Sequence, residues 1–446
     1  MANLGESLSV QRALIEKVLV PAGWTYVPGK DLSRAEEQVF IEPDLVAALP
    51  RLNPAIADEP ALVDEIMFKL RAVPLAAGDE GLVETNRRFR DWLQGLVEHE
   101  FTGSHGSVPV RLIDHSNFAA NTLVVSDEVT LISGGHKRRL DLVLWVNGIP
   151  LVVGETKTPF STSVSWRNGA HDLVEVYQAE RPDFFVPNVF CFATEGKELA
   201  HGTVGTPAHI WQLWGPQQTQ PALSDVLTAA RQLLDPRSVL DVLAGFTVYE
   251  TPKDDDPSPD GGAVSLRKLM ARYPQFEAVR LICDRARDPH RNRGLIYHSQ
   301  GSGKTLAMVF AAGQLLADPA LNNPTVVLVA DRVQLVRQLW DQFRTTSMPR
   351  LKVPASTSAL QKLLADDTRG LIFTTIHKFA GAPPALNTRE DIVVMVDEAH
   401  RTQDGDLGLT MRAALPNATL FGFTGTPIAE LDRNTFDTFG DPTDAD

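Results

Sequence analysis

The sequence predicts an α/β protein of two domains, and three observations carry that prediction. An apolar strand, a glycine-rich turn and a helical run follow one another at 295–306. A second apolar run, Ile392 to Val396, ends abruptly in two carboxylates, Asp397 and Glu398, as a buried parallel strand would at a ligand-binding edge. Between the two halves, residues 251–262 (Thr-Pro-Lys-Asp-Asp-Asp-Pro-Ser-Pro-Asp-Gly-Gly) offer nothing to a packed core and read as a linker, which separates domains at 1–250 and 263–446.

Taken in order, the chain starts helical. Ser33 with Glu36 three residues on predicts a capped helix over 31–50, bearing Val39, Phe40, Leu45, Val46 and Leu49 and divided by Pro43. Leu62, Ile66 and Leu70 share one face of a second helical run, and Phe89, Trp92, Leu93 and Leu96 repeat the pattern. From Val110 the texture turns to strands: 110–113, 122–125 and 129–132. Leu140 to Val146 then runs into Asn147-Gly148, the preferred two-residue hairpin turn, and Ile149 to Lys157 returns.

Counting outward from that turn sets Asp141 opposite Gly154, one residue out of phase with Glu155; a single bulge, placed at Pro150, brings Asp141 and Glu155 level. Glu155 and Lys157, two apart on a strand, share a face. Beyond the hairpin, 166–177 reads as a helix, Phe184, Phe185, Val189, Phe190 and Phe192 as one or two core strands, and 223–243 as helical. After the linker, five strands are predicted at 295–297, 325–329, 370–374, 391–396 and 418–423, with helices between.

The composition bounds function. A charge of −14 excludes a protein that coats DNA by bulk electrostatics, so nucleic-acid contact must be local. Two basic clusters qualify, His136 to Arg139 and the group Arg285, Arg287, His290, Arg291 and Arg293, although such clusters are most often solvated faces. No basic segment leads into an apolar core at the N-terminus, and every apolar run is interrupted well before about 18 residues, which predicts a soluble cytoplasmic protein without a membrane anchor. Cys191 and Cys283 stand alone, at neither disulfide nor zinc spacing.

Two constellations carry chemistry. In 298–305, Gly301, Ser302 and Gly303 let backbone N–H groups approach a triphosphate, Lys304 offers a point charge to its β and γ phosphates, and Thr305 offers a hydroxyl to Mg²⁺. Asp397 holds the same Mg²⁺, and Glu398 orients the attacking water for ATP hydrolysis. At the hairpin, Asp141, Glu155 and the intervening backbone carbonyl form a hard-oxygen Mg²⁺ site, with Lys157 beside it to position water and offset charge on a phosphodiester. The bland alternative is a strand end with a surface ion pair; apolar flanks on both sides weigh against it.

With both sites read, the chain resembles the restriction subunit of type I restriction-modification enzymes along nearly all of its length. Asp141 with Glu155-Thr156-Lys157 resembles the PD-(D/E)xK nuclease motif, and the second half is similar to the first RecA-like lobe of a superfamily 2 helicase. Arg272-Tyr273-Pro274-Gln275-Phe276 looks like the segment whose glutamine reads adenine, which makes Gln275 a nucleotide contact. Segments 330–335 and 374–379 resemble DNA-backbone motifs, Asp397 to His400 the DEAH box, and Gly422 to Pro427 the motif that couples nucleotide state to movement.

The resemblance implies ATP- and Mg²⁺-dependent translocation on double-stranded DNA, cleavage away from a recognition site, and partnership with methyltransferase and specificity subunits. Two departures stand out. Where the family carries Gln-x-x-x-Tyr, Tyr177 is present but Leu173 takes the glutamine's place, with Asp172 or Gln178 as candidate substitutes. The chain also ends at Asp446, soon after Pro427, without a second lobe or arginine finger. That predicts a truncated chain that binds ATP and turns it over slowly. The alternatives are a helicase-like ATPase with an inactive nuclease, or a non-catalytic binding subunit.

Overall fold

The structure, a computed structural model, describes residues 10–57, 59–100, 106–158, 163–216, 218–251, 266–299, 301–330, 351–399, 406–425 and 439. The chain divides into two compact units, 1–273 and 274–446.

In the first unit, β1 (Thr25–Tyr26) is followed by a small antiparallel pair, β2 (Glu98–Glu100) and β3 (Ser107–Pro109). Then come β4 (Leu123–Ser133), β5 (His136–Val146), β6 (Ile149–Thr156), β7 (Phe190–Thr194), β8 (Leu199–Gly202) and β9 (Gln212–Leu213). β1 and β4 to β9 make a seven-stranded sheet in the order β1-β4-β5-β6-β7-β8-β9. It is mixed: β1 with β4 and β6 with β7 run parallel, the other pairs antiparallel. Every residue of β6 is buried, so its apolar run has no solvent face. Val143, Trp145, Val153, Leu173, Phe184, Phe185 and Cys191 share one core cluster on this sheet. β10 (Thr247–Glu250) pairs antiparallel with β11 (Arg267–Met270), so the chain returns to the first unit after residues 252–265, which hold most of the sequence-read linker and lie outside the described residues.

The β5–β6 hairpin follows the predicted count. Asn147 and Gly148 take φ of 51° and 77°, as a type I′ turn requires. Val146 faces Ile149 and Trp145 faces Pro150, after which the register shifts and Leu144 faces Val152. The extra residue is therefore Leu151, one beyond the proline.

Several local expectations are corrected. The helix predicted over 31–50 begins only at Glu42, with Pro43 in its first turn. Upstream, the Arg34 guanidinium donates to the carbonyls of Gln38, Glu36 and Thr130 and stacks on Trp145 and Phe184, so the backbone wraps around that side chain instead of coiling. Val110, Leu112 and Ile113 are buried, yet 110–113 is not a strand, because the side chain of Asn53 takes both the N–H and the carbonyl of the exposed Arg111. The 122–125 and 129–132 runs join in one strand, β4, and Phe184 and Phe185 close a short helix (Pro182–Phe185). The helices Pro60–Leu75, Leu82–Leu93, Leu223–Leu233 and Pro236–Gly245 stand where periodicity placed them, although Leu96 lies beyond its helix and is exposed.

The second unit holds β12 (Arg293–Tyr297), β13 (Thr325–Ala330), β14 (Leu351–Lys352), β15 (Gly370–Thr375), β16 (Ile392–Val396) and β17 (Thr419–Thr424). They form a six-stranded sheet, order β12-β17-β16-β13-β15-β14, with every pair parallel. Five strands match the prediction; β14, at two residues, is too short to show a period. The carboxyl ends of β12, β13, β16 and β17 come level, which gathers their following loops at one edge.

Candidate functional site

One step beyond the Leu142–Gly154 pair, Asp141 and Glu155 stand level on adjacent strands. Asp141 Oδ2 accepts from both the N–H and the hydroxyl of Thr156, each at 2.8 Å, which fixes the carboxylate at the strand end. Gln11 Nε2 donates to the Asp141 carbonyl at 2.5 Å. Lys157 Nζ bridges two carboxylates, 2.8 Å from Glu155 Oε1 and 2.6 Å from Asp172 Oδ2. Glu155 is buried, and among the described residues its Oε2 has no hydrogen-bond partner.

Burial pushes Asp141 above the usual carboxylate range against its Thr156 bonds. Burial, then the Asp141 charge, pushes Glu155 up to about 8. Burial works against the Lys157 charge, but Glu155 and Asp172 outweigh it and hold the ammonium above its ordinary value. Two carboxylates that resist ionising together, one with an orphaned oxygen, are what a divalent cation would relieve. The donor set therefore fits Mg²⁺ through Asp141, Glu155 and the carbonyl of Thr156. Among the described residues no three His, Cys, Asp or Glu side chains gather into a fuller cage.

The helix Trp166–His171 runs against this pair and continues as a wide turn, Asp172–Tyr177. Ser165 caps it, and Glu195, just past β7, accepts from the Trp166 N–H at 2.9 Å. A Cβ on Gly169 would lie 3.2 Å from Glu155 Cγ, so any larger residue would need the strand or the helix to yield by a few tenths of an ångström. Leu173, where the family's glutamine was expected, is fully buried; Gln178 points to Cys191 and Gly205. Of the two candidate substitutes, Asp172 is the one at the lysine.

In the second unit, Gly301 and Gly303 take φ of 79° and 88°, the left-handed turn that opens the loop before the helix Lys304–Ala317. Thr305 is the second residue of that helix. Lys304 Nζ pairs with Glu398 and lies 3.7 Å from Asp397 Oδ1, so the loop and the β16 tip meet through one ammonium. The Asp397 N–H donates to the Val329 carbonyl and the Ala399 N–H to that of Phe423, pinning the acidic tip between its neighbours. Glu398 itself takes φ of 49°, a strained backbone for that residue. Burial raises Asp397 despite Lys304, and burial, then Lys304, lowers His298.

Gln275 Nε2 donates to the carbonyls of Gly303 at 3.0 Å and Ser302 at 3.3 Å, so it braces the loop's backbone in this structure. The sequence-read residues Gln275, Gly301, Ser302, Gly303, Lys304, Thr305, Asp397 and Glu398 thus lie at one sheet edge. Of the other motif residues, Gln300, 331–335, His400, Thr426 and Pro427 lie outside the described residues, while 374–379 span the end of β15 and the turn after it. The basic clusters are largely paired: Lys137 with Glu36, Arg138 with Glu180, Arg139 with Glu128, and Arg287 with Asp318 and Asp284.

Residues 4–209 match the family model described as the type I restriction enzyme R protein N terminus, and 274–445 that of the SWI2/SNF2 ATPase. The HindI type I restriction enzyme endonuclease subunit of Haemophilus influenzae is 32% identical over 98% of this chain and 43% of its own length. The SsaAORF53P endonuclease subunit of Staphylococcus saprophyticus is 36% identical over 81% of this chain and 38% of its own. The chain spans less than half the length of these relatives. A SWI2/SNF2 ATPase core from Sulfolobus solfataricus, solved with double-stranded DNA, matches over 38% of this chain and 35% of its own at 15% identity and a TM-score of 0.30.

Proposed function

The chain belongs to the family of type I restriction enzyme endonuclease (R) subunits, with a SWI2/SNF2-like ATPase region in its second half, and from that premise we propose that it supplies both the DNA-cutting centre and the ATP site of such an enzyme. The single observation that supports the cutting role best is the orphaned Oε2 of buried Glu155, level with Asp141 and beside Lys157.

Asp141, Glu155 and the Thr156 carbonyl would hold Mg²⁺, which when bound supplies an activated water and neutralises charge on the scissile phosphate. Lys157 places a permanent cation against the phosphodiester oxygens, and Thr156 locks the Asp141 rotamer. On the second unit, Gly301 to Gly303 would present backbone N–H groups to the triphosphate, and Lys304 would leave Glu398 for the β and γ phosphates. Glu398, so released, would orient the attacking water; Thr305 and Asp397 would hold that nucleotide's Mg²⁺, and Gln275 would select adenine.

ATP hydrolysis would then drive the enzyme along double-stranded DNA, in the cytoplasm, until the first unit cuts away from the recognition site. Sequence reading falls to methyltransferase and specificity subunits, which suits an acidic chain whose basic clusters are mostly internally paired. The assignment puts cleavage in 1–250 and ATP binding in 263–446.

Reconstitution with those partners tests the reading. Asp141→Asn or Glu155→Gln is expected to abolish double-strand cleavage while fluorescent ATP analogues still bind; Lys304→Ala is expected to abolish nucleotide binding. A Glu155→Gln enzyme that still cuts DNA would remove the cutting assignment.

A further inference from the structure

We propose that Asp172 is a positioning residue that keeps Lys157 beside the Asp141–Glu155 pair when a divalent cation takes Glu155 away from it; this rests on the cutting role proposed above. Lys157 Nζ sits between Glu155 Oε1 at 2.8 Å and Asp172 Oδ2 at 2.6 Å. A cation bound to Glu155 competes with the ammonium for the same carboxylate and repels it. If Glu155 were its one anchor, Lys157 would either block the cation or be driven from the site by it.

Asp172 resolves that conflict from a different element. It stands at the start of the wide turn Asp172–Tyr177, whose next residue, Leu173, is locked in the core, so the backbone under the carboxylate is held. Its side chain is 34% exposed where that of Glu155 is 5% exposed, so Asp172 reaches the lysine from the solvent side while Glu155 meets it from the interior. One helical turn earlier, Gly169 lets this helix touch Glu155 directly, so the Asp172 carboxylate and the strand end are set by one packing contact. The second anchor also lies where the family's glutamine motif departs, at the residue before Leu173.

Calorimetry of the full chain with Ca²⁺, a cation that binds such sites, tests the proposal. Asp172→Asn is expected to weaken Ca²⁺ binding about tenfold, because Lys157 falls back on Glu155; Asp172→Ala is expected to do the same, and Asp172→Glu to bind within about twofold of the unaltered chain. In a Lys157→Met background, where no ammonium competes, Asp172→Asn is expected to cost less than about twofold. Equal costs in both backgrounds would reduce Asp172 to one more negative charge and overturn the proposal, as would an Asp172→Asn chain that binds like the unaltered one. A chain that binds no Ca²⁺ in any form would overturn the cutting assignment as well, a result distinct from normal binding without coupling.

Discussion

Lys268 on β11 is wholly buried in the first unit, and replacing it with methionine should change the pH dependence of folding by a calculable amount. Its Nζ donates to the Asn188 carbonyl at 2.8 Å and lies 5.8 Å from the Tyr249 ring, and among the described residues it makes no ion pair with a carboxylate. Burial, then the nearby Arg90 charge, lowers it from 10.5 to about 7, with Cys191 opposing weakly. The native state therefore sheds a proton that the unfolded chain keeps, so this lysine's penalty is full below about pH 7 and fades as pH rises toward 10.5. At about 1.4 kcal/mol per pKa step, the penalty is roughly 4 kcal/mol at pH 7 and roughly 2 kcal/mol at pH 9. Lys268→Met also loses the Asn188 bond, worth about 1 kcal/mol at either pH.

The quantity to measure is thus the change in the gap between the two chains, about 2 kcal/mol from pH 7 to pH 9, which packing and hydrogen-bond losses leave untouched. Urea unfolding followed by tryptophan fluorescence reads it, since Trp24, Trp92, Trp145, Trp166, Trp211 and Trp214 all belong to the first unit. The methionine chain should be the more stable at pH 7 and lose most of that lead by pH 9. A gap that stays constant within about 0.5 kcal/mol would show that Lys268 holds its ordinary affinity for protons, and the reasoning would fall.

Glu155→Gln should trade function for stability. With Glu155 raised to about 8, its neutral form favours folding at low pH and that advantage is lost as pH climbs through about 8, so the glutamine chain should melt higher at pH 9 while cutting no DNA. Gly303→Ala puts a Cβ 2.3 Å from Gln275 Nε2 at φ of 88°, and should weaken a fluorescent ATP analogue by about fivefold to a hundredfold, from about 1–3 kcal/mol of strain. Gly154→Ala drives a Cβ to 2.1 Å from the Phe192 ring; overpacking should cost about 1–3 kcal/mol in urea unfolding, and Phe192→Leu in the same chain should recover most of it.

How much was legible in the sequence depended on whether the signal was local. The glycine turn before the helix Lys304–Ala317 and the Asn147-Gly148 turn are written in consecutive residues whose backbone demands only glycine or asparagine meets, and both turns form. The bulge followed from arithmetic, since two carboxylates at a buried strand end must come level to be satisfied together. Asp172 was visible only as one of two candidates, because its partner is fifteen positions away across a helix. The helix lost before Glu42 and the strand lost at 110–113 fail for a common reason: a distant polar side chain, Arg34 or Asn53, claims the backbone groups that regular structure needs. The resemblance makes Gln275 an adenine contact, whereas its bond to the Gly303 carbonyl spans 28 positions and leaves no mark in the spacing.

The extra residue Leu151 makes the proposed cutting centre a matter of parity. Side chains on a strand alternate like the teeth of two combs, and from the turn outward β5 and β6 would otherwise mesh with Asp141 and Glu155 on opposite sides. Substituting Leu151 by another apolar residue changes only a tooth's shape. Deleting it, with every other residue kept, would slide one comb by a single notch and send Glu155 and Lys157 together to the far face. Length, more than identity, is what this short stretch has to preserve between the turn and the charges.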